Sequence, residues 1–325
     1  MFKLDYMVQA RGLAKRFSSR AGDVEAVRGV DIDVSAGEIV GFLGPNGAGK
    51  TTTLRMLTTL LSPSAGTATV AGHDLRRDPV AVRSRIGYVP QRGSTSPQAL
   101  VGEELVDHGR LHGLSRSTAE ERGRALIAAL DLESTWGRPC GTLSGGQRRR
   151  LDIALGLINE PPLLFMDEPT TGLDPQSRAN LWQHVRGLRE QGVTVFLTTH
   201  YLDEADALCD RILVIDHGEI VAAGTPAELK REVSGDRIGI QLDDPARLAN
   251  ARAVLERIPD VVVMRAEGDL LDFRLPDAST ALPGAMASLA GAGVVLAGIE
   301  VRRPTLDDVF LSLTGRELRD QPVAA

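Results

Sequence analysis

Apolar positions follow two different rhythms along the first two-thirds of this chain. Val30, Ile32 and Val34 recur at every second position, the spacing of a half-buried strand, and Ile39-Val40-Gly41-Phe42-Leu43 is an unbroken apolar run of strand length. A Gly-rich turn follows, and from Lys50 to about Leu61 the spacing is helical. Further strands are predicted at 162–167, 193–198 and 211–216, each beside a helical pattern. Strand and helix in alternation predict an α/β fold, a mainly parallel sheet with helices packed on it. Between about 101 and 160 the pattern is almost wholly helical, which predicts a separate helical lobe.

Near Ser234-Gly235 the rhythm changes, so the chain divides into domains at 1–234 and 235–325. The second reads as strand (238–242), helix (246–257), two strands (261–266 and 270–275), helix (281–290), strand (294–302) and a last helix at about 305–315. That β-α-β-β-α-β order predicts a small α+β domain of the split, ferredoxin-like arrangement with one helix appended. Residues 278–299 run without a charge for about the length of a bilayer span. Ala, Gly, Ser, Thr and Pro dominate the run, Gly291-Ala292-Gly293 reads as a turn, and Leu282, Met286 and Leu289 mark one buried face of a short helix. Helix, turn and strand are therefore predicted there, and no membrane anchor.

Composition narrows the picture further. The 325 residues are 42% hydrophobic and 25% charged, which excludes disorder and fibrous repeats. With 37 basic and 43 acidic residues the formal charge is −6, which argues against a nucleic-acid partner held on a broad basic surface. Cys140 and Cys209 are too few for a disulfide scaffold and suit a reducing cytosol. The N-terminal MFKLDYMVQARG carries no apolar signal-peptide core.

Three constellations carry chemistry. Gly44-Pro45-Asn46-Gly47-Ala48-Gly49-Lys50-Thr51 fits G-x-x-x-x-G-K-[ST] between a buried strand and a helix, the context that motif needs. Its glycines let backbone N–H groups turn inward around phosphate oxygens, and the helix start adds the positive end of its dipole. Lys50 would neutralise the β- and γ-phosphates and Thr51 would offer its hydroxyl to Mg²⁺, with Thr52 counted in the same nucleotide-binding set. Second, the apolar strand Leu163-Leu164-Phe165-Met166 ends in Asp167-Glu168. Asp167 would hold Mg²⁺ through its water shell, and Glu168 is placed to take a proton from an attacking water. Third, Leu143-Ser144-Gly145-Gly146-Gln147 opens a helix marked by Leu151, Leu155 and Ile158. Taken alone it reads as an ordinary helix start with Ser144 as N-cap. Beside a phosphate loop it reads as a second anion-binding helix end.

With these residues in hand the chain resembles the ATP-binding subunit of an ABC transporter, over about residues 8–232. Leu143–Gln147 matches that family's signature motif. Further matches imply further roles. Gln91, in Tyr88-Val89-Pro90-Gln91, stands where the family has a glutamine that touches Mg²⁺ and senses the membrane partner. Asp174, in Thr171-Gly172-Leu173-Asp174, stands in the loop that crosses the dimer interface. His200, in Leu197-Thr198-Thr199-His200, matches the switch histidine that contacts the γ-phosphate, and Phe17 aligns with the aromatic residue that stacks on adenine. The finer resemblance is to drug-export ATPases of the daunorubicin-resistance type, carried by Gln147–Ala154, Thr198–Ala205, Cys209–Ile212 and the tail Pro304–Gly315. The run Arg92–Pro97 and Val101 depart from that group's pattern, in the region where the family meets its permease.

The resemblance implies a P-loop ATPase core with a helical lobe at about 91–160. It implies two copies of the chain closing head to tail over two Mg-ATP, with the signature loop of one covering nucleotide on the phosphate loop of the other. It also implies a separate integral membrane permease, on whose cytoplasmic side the subunit sits, and export of a drug-like or lipidic compound. The alternative is a non-transport ABC ATPase acting on nucleic acid or ribosomes, but such relatives carry long coiled coils, zinc-binding cysteines or tandem cassettes. A stand-alone P-loop kinase or GTPase is disfavoured by the signature motif. Glu104, His108 and His112 recur every four residues, read as a solvated helix face rather than a zinc site. Arg148, Arg149 and Arg150 read as the polar face of a helix rather than a nucleic-acid patch.

Overall fold

Bulges explain the first difference between sequence rhythm and structure. The computed structural model describes residues 5–19, 22–93, 95–232 and 235–315. Its first elements are a long antiparallel hairpin, β1 (Tyr6–Ser19) and β2 (Gly22–Ser35). Only β2 announced itself in the sequence. The pairing slips between Ala10 and Leu13 and again after Leu13, so β1 changes face mid-strand and its period of two is broken.

Next come β3 (Ile39–Leu43), α1 (Lys50–Leu57), β4 (Ala65–Val70), β5 (His73–Asp74), α2 (Pro79–Arg85) and β6 (Ile86–Val89). The helices α3 (Val101–Leu111), α4 (Arg116–Ala129) and α5 (Gly145–Leu157) form the expected helical stretch, while the described residues of 91–100 carry no helix. Ser94 lies outside the described residues. Then follow β7 (Leu163–Asp167), α6 (Pro175–Glu190), β8 (Thr194–Thr199), α7 (Leu202–Leu208), β9 (Arg211–Asp216) and β10 (Glu219–Gly224). Helix α1 is shorter than its apolar rhythm suggested, since Thr59 adopts a left-handed φ of 63° just beyond it.

Six strands form the central sheet in the order β10-β9-β3-β8-β7-β6. β3 runs parallel to β8 and β9, and β7 runs parallel to β6 and β8; edge strand β10 is antiparallel. Every residue of β3, β7 and β8 is buried, which is why their sequences are apolar runs rather than alternations. Phe196 sits between Phe42 and Phe165, with ring centroids 5.6 Å away on both sides. A second, antiparallel sheet is ordered β2-β1-β4-β5.

The described residues divide into two compact units, the second beginning at Pro226. It contains α8 (Pro226–Glu232), β11 (Asp236–Leu242), α9 (Leu248–Leu255), β12 (Val262–Glu267), β13 (Leu270–Leu275), α10 (Ala278–Gly291), β14 (Leu296–Arg302) and α11 (Leu306–Thr314). Because α8 packs on α11, the structural division precedes the 234/235 junction read from the sequence; Ser234 itself is outside the described residues. The sheet order is β12-β13-β11-β14 with antiparallel pairs throughout, the split βαβ plan. Ile238, Ile240, Leu271, Phe273 and Leu275 alternate onto one face and pack with Ala251 and Leu255 of α9 and Ala285 and Leu289 of α10. The charge-free run 278–299 is thus α10, a turn and part of β14, and no described helix is long and apolar enough to cross a membrane.

Phe273 is fully buried in this second core. Phe273→Ala should destabilise its unit by about 3–5 kcal/mol. Chemical denaturation followed beside nucleotide binding should show the second unit melting early while affinity for nucleotide is kept.

Candidate active site

The turn after β3 is shaped by contacts that only glycine permits. Gly49 has φ 107°, and a Cβ there would stand 2.6 Å from the carbonyl oxygen of Ala26. A Cβ on Gly44 would stand 2.2 Å from the carbonyl oxygen of Ile215. The loop is thereby pressed against neighbouring backbone, and α1 starts at Lys50 with its N–H groups and positive dipole end at the loop. Lys50 is 4% exposed, and its Nζ donates to the carbonyls of Gly44 (2.7 Å) and Pro45 (3.1 Å). Burial lowers its pKa, against the opposing pull of Glu168 and Asp167.

Strand β7 delivers the two carboxylates. Asp167 Oδ1 accepts from the hydroxyls of Thr51 (3.1 Å) and Thr198 (2.6 Å). Glu168 Oε1 lies 3.5 Å from Lys50 Nζ and 3.2 Å from His200 Nδ1, while Oε2 accepts from Gln91 Nε2 (2.8 Å) and Thr171 Oγ1 (3.3 Å). The Glu168 backbone has φ 44°, a left-handed conformation costly for a side-chain-bearing residue. Its N–H is held there by the carbonyl (3.1 Å) and hydroxyl (3.0 Å) of Thr198. Burial pushes the Glu168 pKa up, but the facing His200, Lys50 and Thr171 together outweigh it and hold the pKa down at about 2. The carboxylate is therefore ionised at neutral pH. Thr51 and Asp167 form an oxygen-only donor pair, the hard ligand chemistry that suits Mg²⁺.

A second cluster forms at the start of α5. Ser144 Oγ accepts from the Gln147 N–H (3.2 Å) and Gln147 Oε1 accepts from the Ser144 N–H (3.1 Å), a capping box. The helix-start reading of the pentapeptide is thus realised. Asp174 caps α6, accepting from the N–H (2.9 Å) and hydroxyl (2.7 Å) of Ser177, which keep its pKa low. A Cβ on Gly146 would stand 2.8 Å from Ser177 Oγ, so the two helix starts are neighbours. Among the described residues no hydrogen bond or ion pair joins 144–147 to the 44–51 loop. Phe17 lies on the β1–β2 hairpin, 41% exposed, with Lys15 Nζ 5.2 Å from its ring centre.

Three contributors were not read from the sequence. Thr198 joins both carboxylate residues, and its position just before Thr199-His200 was the available signal. Thr171 reaches Glu168, and the third corrects an expectation. Arg149 is 6% exposed and not part of a solvated polar face. Its guanidinium donates to the carbonyls of Pro90 (2.5 Å), Asp167 (3.0 Å) and Pro169 (2.7 Å). Three adjacent arginines look alike in sequence, yet Arg148 is exposed, Arg150 is half-buried against the Leu130 carbonyl, and only Arg149 is fully buried.

Comparison with known proteins gives a consistent result. The family described as "ABC transporter" matches residues 27–171, and "ATP-binding protein DrrA1-3-like, C-terminal domain" matches 224–314. The daunorubicin resistance ATP-binding protein DrrA3 of Streptomyces coeruleorubidus is 44% identical over 320 residues, 98% of this chain and 99% of its own length. The doxorubicin resistance ATP-binding protein DrrA of Mycobacterium tuberculosis is 41% identical, over 95% of this chain and 94% of its own. The Nod factor export ATP-binding protein I of Ralstonia nicotianae is 40% identical, over 97% and 95%. Among solved structures, a dimeric ATP-binding cassette in a post-hydrolysis state with ADP and phosphate superposes with TM-score 0.62 at 26% identity, covering 67% of this chain and 98% of that one.

Thr198→Val keeps the side-chain shape and removes the hydroxyl that serves both Asp167 and the Glu168 N–H. It should cost ~1–3 kcal/mol of stability, because a buried carboxylate loses a donor. Chemical denaturation reads the loss. ATP turnover should fall as well, and a variant as stable and as active as the parent would remove Thr198 from the site.

Proposed function

The chain belongs to the ATP-binding subunits of ABC transporters, in the drug-export group, and from that premise we propose how its residues divide the work. As such a subunit it binds and hydrolyses ATP for an exporter. The observation that carries the assignment of roles is the convergence of Lys50, Gln91, Thr171 and His200 on Glu168, beside the Thr51–Asp167 pair.

In this reading the N–H groups of 44–52 cradle the phosphates, and Lys50 neutralises the β- and γ-oxygens. Thr51 and Asp167 would hold Mg²⁺, with Gln91 beside them, and the ion would supply charge neutralisation on the phosphates. Glu168 orients the attacking water and takes its proton. Its basicity is low while Lys50 and His200 face it. As Lys50 turns to the phosphates and His200 to the γ-phosphate, burial is left as the dominant influence, and the carboxylate becomes a stronger proton acceptor. Phe17, accessible on its hairpin, stacks on the adenine.

Ser144, Gly145, Gly146, Gln147 and Asp174 act on nucleotide held by a second copy of the chain, since among the described residues of one chain they make no bond to the 44–51 loop. A head-to-tail pair then completes two sites at once. Closure around ATP and opening after hydrolysis move an integral membrane permease on the cytoplasmic face of the membrane. The region 91–140 docks that permease, and the C-terminal unit tunes dimerisation or assembly. Relatives are named for daunorubicin and doxorubicin resistance and for Nod factor export, so the proposed cargo is an amphipathic drug-like or lipidic compound.

Glu168→Gln preserves shape and the reach to Gln91 but not the basic carboxylate. It should retain ATP affinity, lower turnover by about 10²–10⁴, and trap an ATP-dependent dimer detectable by size-exclusion chromatography with light scattering. Lys50→Ala should weaken ATP binding itself and abolish the dimer shift. Turnover of the Glu168→Gln protein near the parent's would pass water activation to His200 or to the phosphate. Affinity capture from solubilised membranes tests the partner: an integral membrane protein is expected, and recovery of ribosomes or DNA in its place would defeat the exporter reading.

A further inference from the structure

The open face of the C-terminal sheet carries a row of arginines that ATP chemistry does not use. Strand register sets Arg274 of β13 opposite Arg237 of β11, and Arg237 opposite Arg302 of β14. Neighbouring strands lie about 4.8 Å apart, so three guanidinium stems stand side by side across the sheet. Like charges placed directly opposite each other destabilise a sheet, and here two such pairs adjoin.

Compensation from within the unit is incomplete. Arg237 Nη2 lies 2.7 Å from Asp272 Oδ2, and Arg302 Nε lies 2.9 Å from Glu300 Oε1. The Arg302–Glu300 pair is largely solvent-exposed, the kind that contributes little and exchanges readily for a better anion, whereas Asp272 is only partly exposed. Arg274 and the adjacent, exposed Arg303 have no carboxylate within ion-pair distance among the described residues. All four arginines line one groove of 640 Å³. Among the described residues the single carboxylate lining it, Asp308, is engaged as a cap of α11, its Oδ2 accepting from the Thr305 N–H and hydroxyl, both at 2.8 Å.

We propose that this groove binds a phosphate-class anion carrying at least two negative charges, either a free phosphate compound or the headgroup of an anionic lipid. Guanidinium groups present paired N–H donors in a plane that matches phosphate oxygens, which a lysine row would not. Two charges are required because two guanidinium groups lack partners. The site is independent of the nucleotide site: its described lining residues include no Gly-rich loop, no carboxylate pair at a strand end, and no residue of the first unit.

The test uses the full chain with Lys50→Ala, which weakens the phosphate loop and leaves the groove intact. Pyrophosphate is titrated by calorimetry at low ionic strength, and the same protein is floated with phosphatidylcholine vesicles with and without cardiolipin, whose headgroup carries two phosphates. Adding Arg274→Ala and Arg303→Ala should weaken binding about tenfold or more, the loss of two charge-assisted contacts. Arg303→Glu alone changes an exposed, unpaired side chain, carries little folding risk, and should weaken binding too. Pyrophosphate binding abolished by these variants assigns a free phosphate compound. Binding confined to cardiolipin vesicles and lost in the variants assigns a lipid headgroup. Equal affinity in parent and variants, or no binding of either probe, overturns the proposal.

Discussion

Two carboxylates stand at the end of a strand with no exposed residue, and the first unit is organised around compensating them. A buried charge without partners would be lost by protonation or would unfold its surroundings. Asp167 is met by two hydroxyls, and Glu168 by an ammonium, an amide, a hydroxyl and an imidazole. Apart from Thr171, three residues on from Glu168, those groups come from distant parts of the sequence and arrive together because of strand register. Leu43 pairs with Thr199 and Asp167 with Thr198, so the carboxyl ends of β3, β7 and β8 open side by side. The loop after β3, the acids after β7 and the histidine after β8 are thus neighbours by topology, in the place where α/β sheets put their ligands. The left-handed backbone of Glu168 is strain retained at the same place, sustained by the double hold of Thr198 on its N–H.

Arg149 extends this compensation into the helical lobe. It belongs to α5, whose first turn is the signature pentapeptide, yet its guanidinium is spent on the carbonyls of Pro90, Asp167 and Pro169. One buried side chain therefore ties the signature helix to the loop carrying Gln91 and to the strand end carrying the acids. Such a tie has little freedom to stretch, because a displaced guanidinium would leave both itself and three carbonyls unsatisfied. A shift of α5 must then be shared by the Gln91 loop, and this supplies a physical route between the nucleotide site and the lobe proposed to dock the permease.

Much of this was legible because the relevant patterns are local. The turn at 44–51 declares itself through glycines that have to be glycines, and the acid pair through the apolar run before it. The C-terminal plan was readable too, since its strands alternate cleanly about one core, as Ile238, Ile240 and Leu242 show. Three things were hidden, each by a non-local cause. Register slips in β1 erased the alternation that would have revealed the antiparallel sheet. Arg149 is indistinguishable from Arg148 and Arg150 until α5 is rotated against β7. Thr198 looks like any strand threonine, and its importance comes from a pairing partner that chain order does not name.

The two helix starts at Ser144 and Asp174 show how a structural role and a functional one can occupy the same atoms. Each side chain already closes its own helix, Ser144 through a capping box and Asp174 through Ser177. Capping consumes N–H donors at the two starts but leaves both helix dipoles aligned on one neighbourhood, with Gly146 close against Ser177. The small residues at 145 and 146 keep that neighbourhood open to an approaching phosphate, where any larger side chain at 146 would collide with the α6 cap. In the proposed pair, a surface already held by its own caps would cost little to complete when a second chain presents nucleotide to it. In the proposed head-to-tail pair, rigid half-sites on separate chains would make closure depend on nucleotide, and that dependence would allow hydrolysis to reopen the pair.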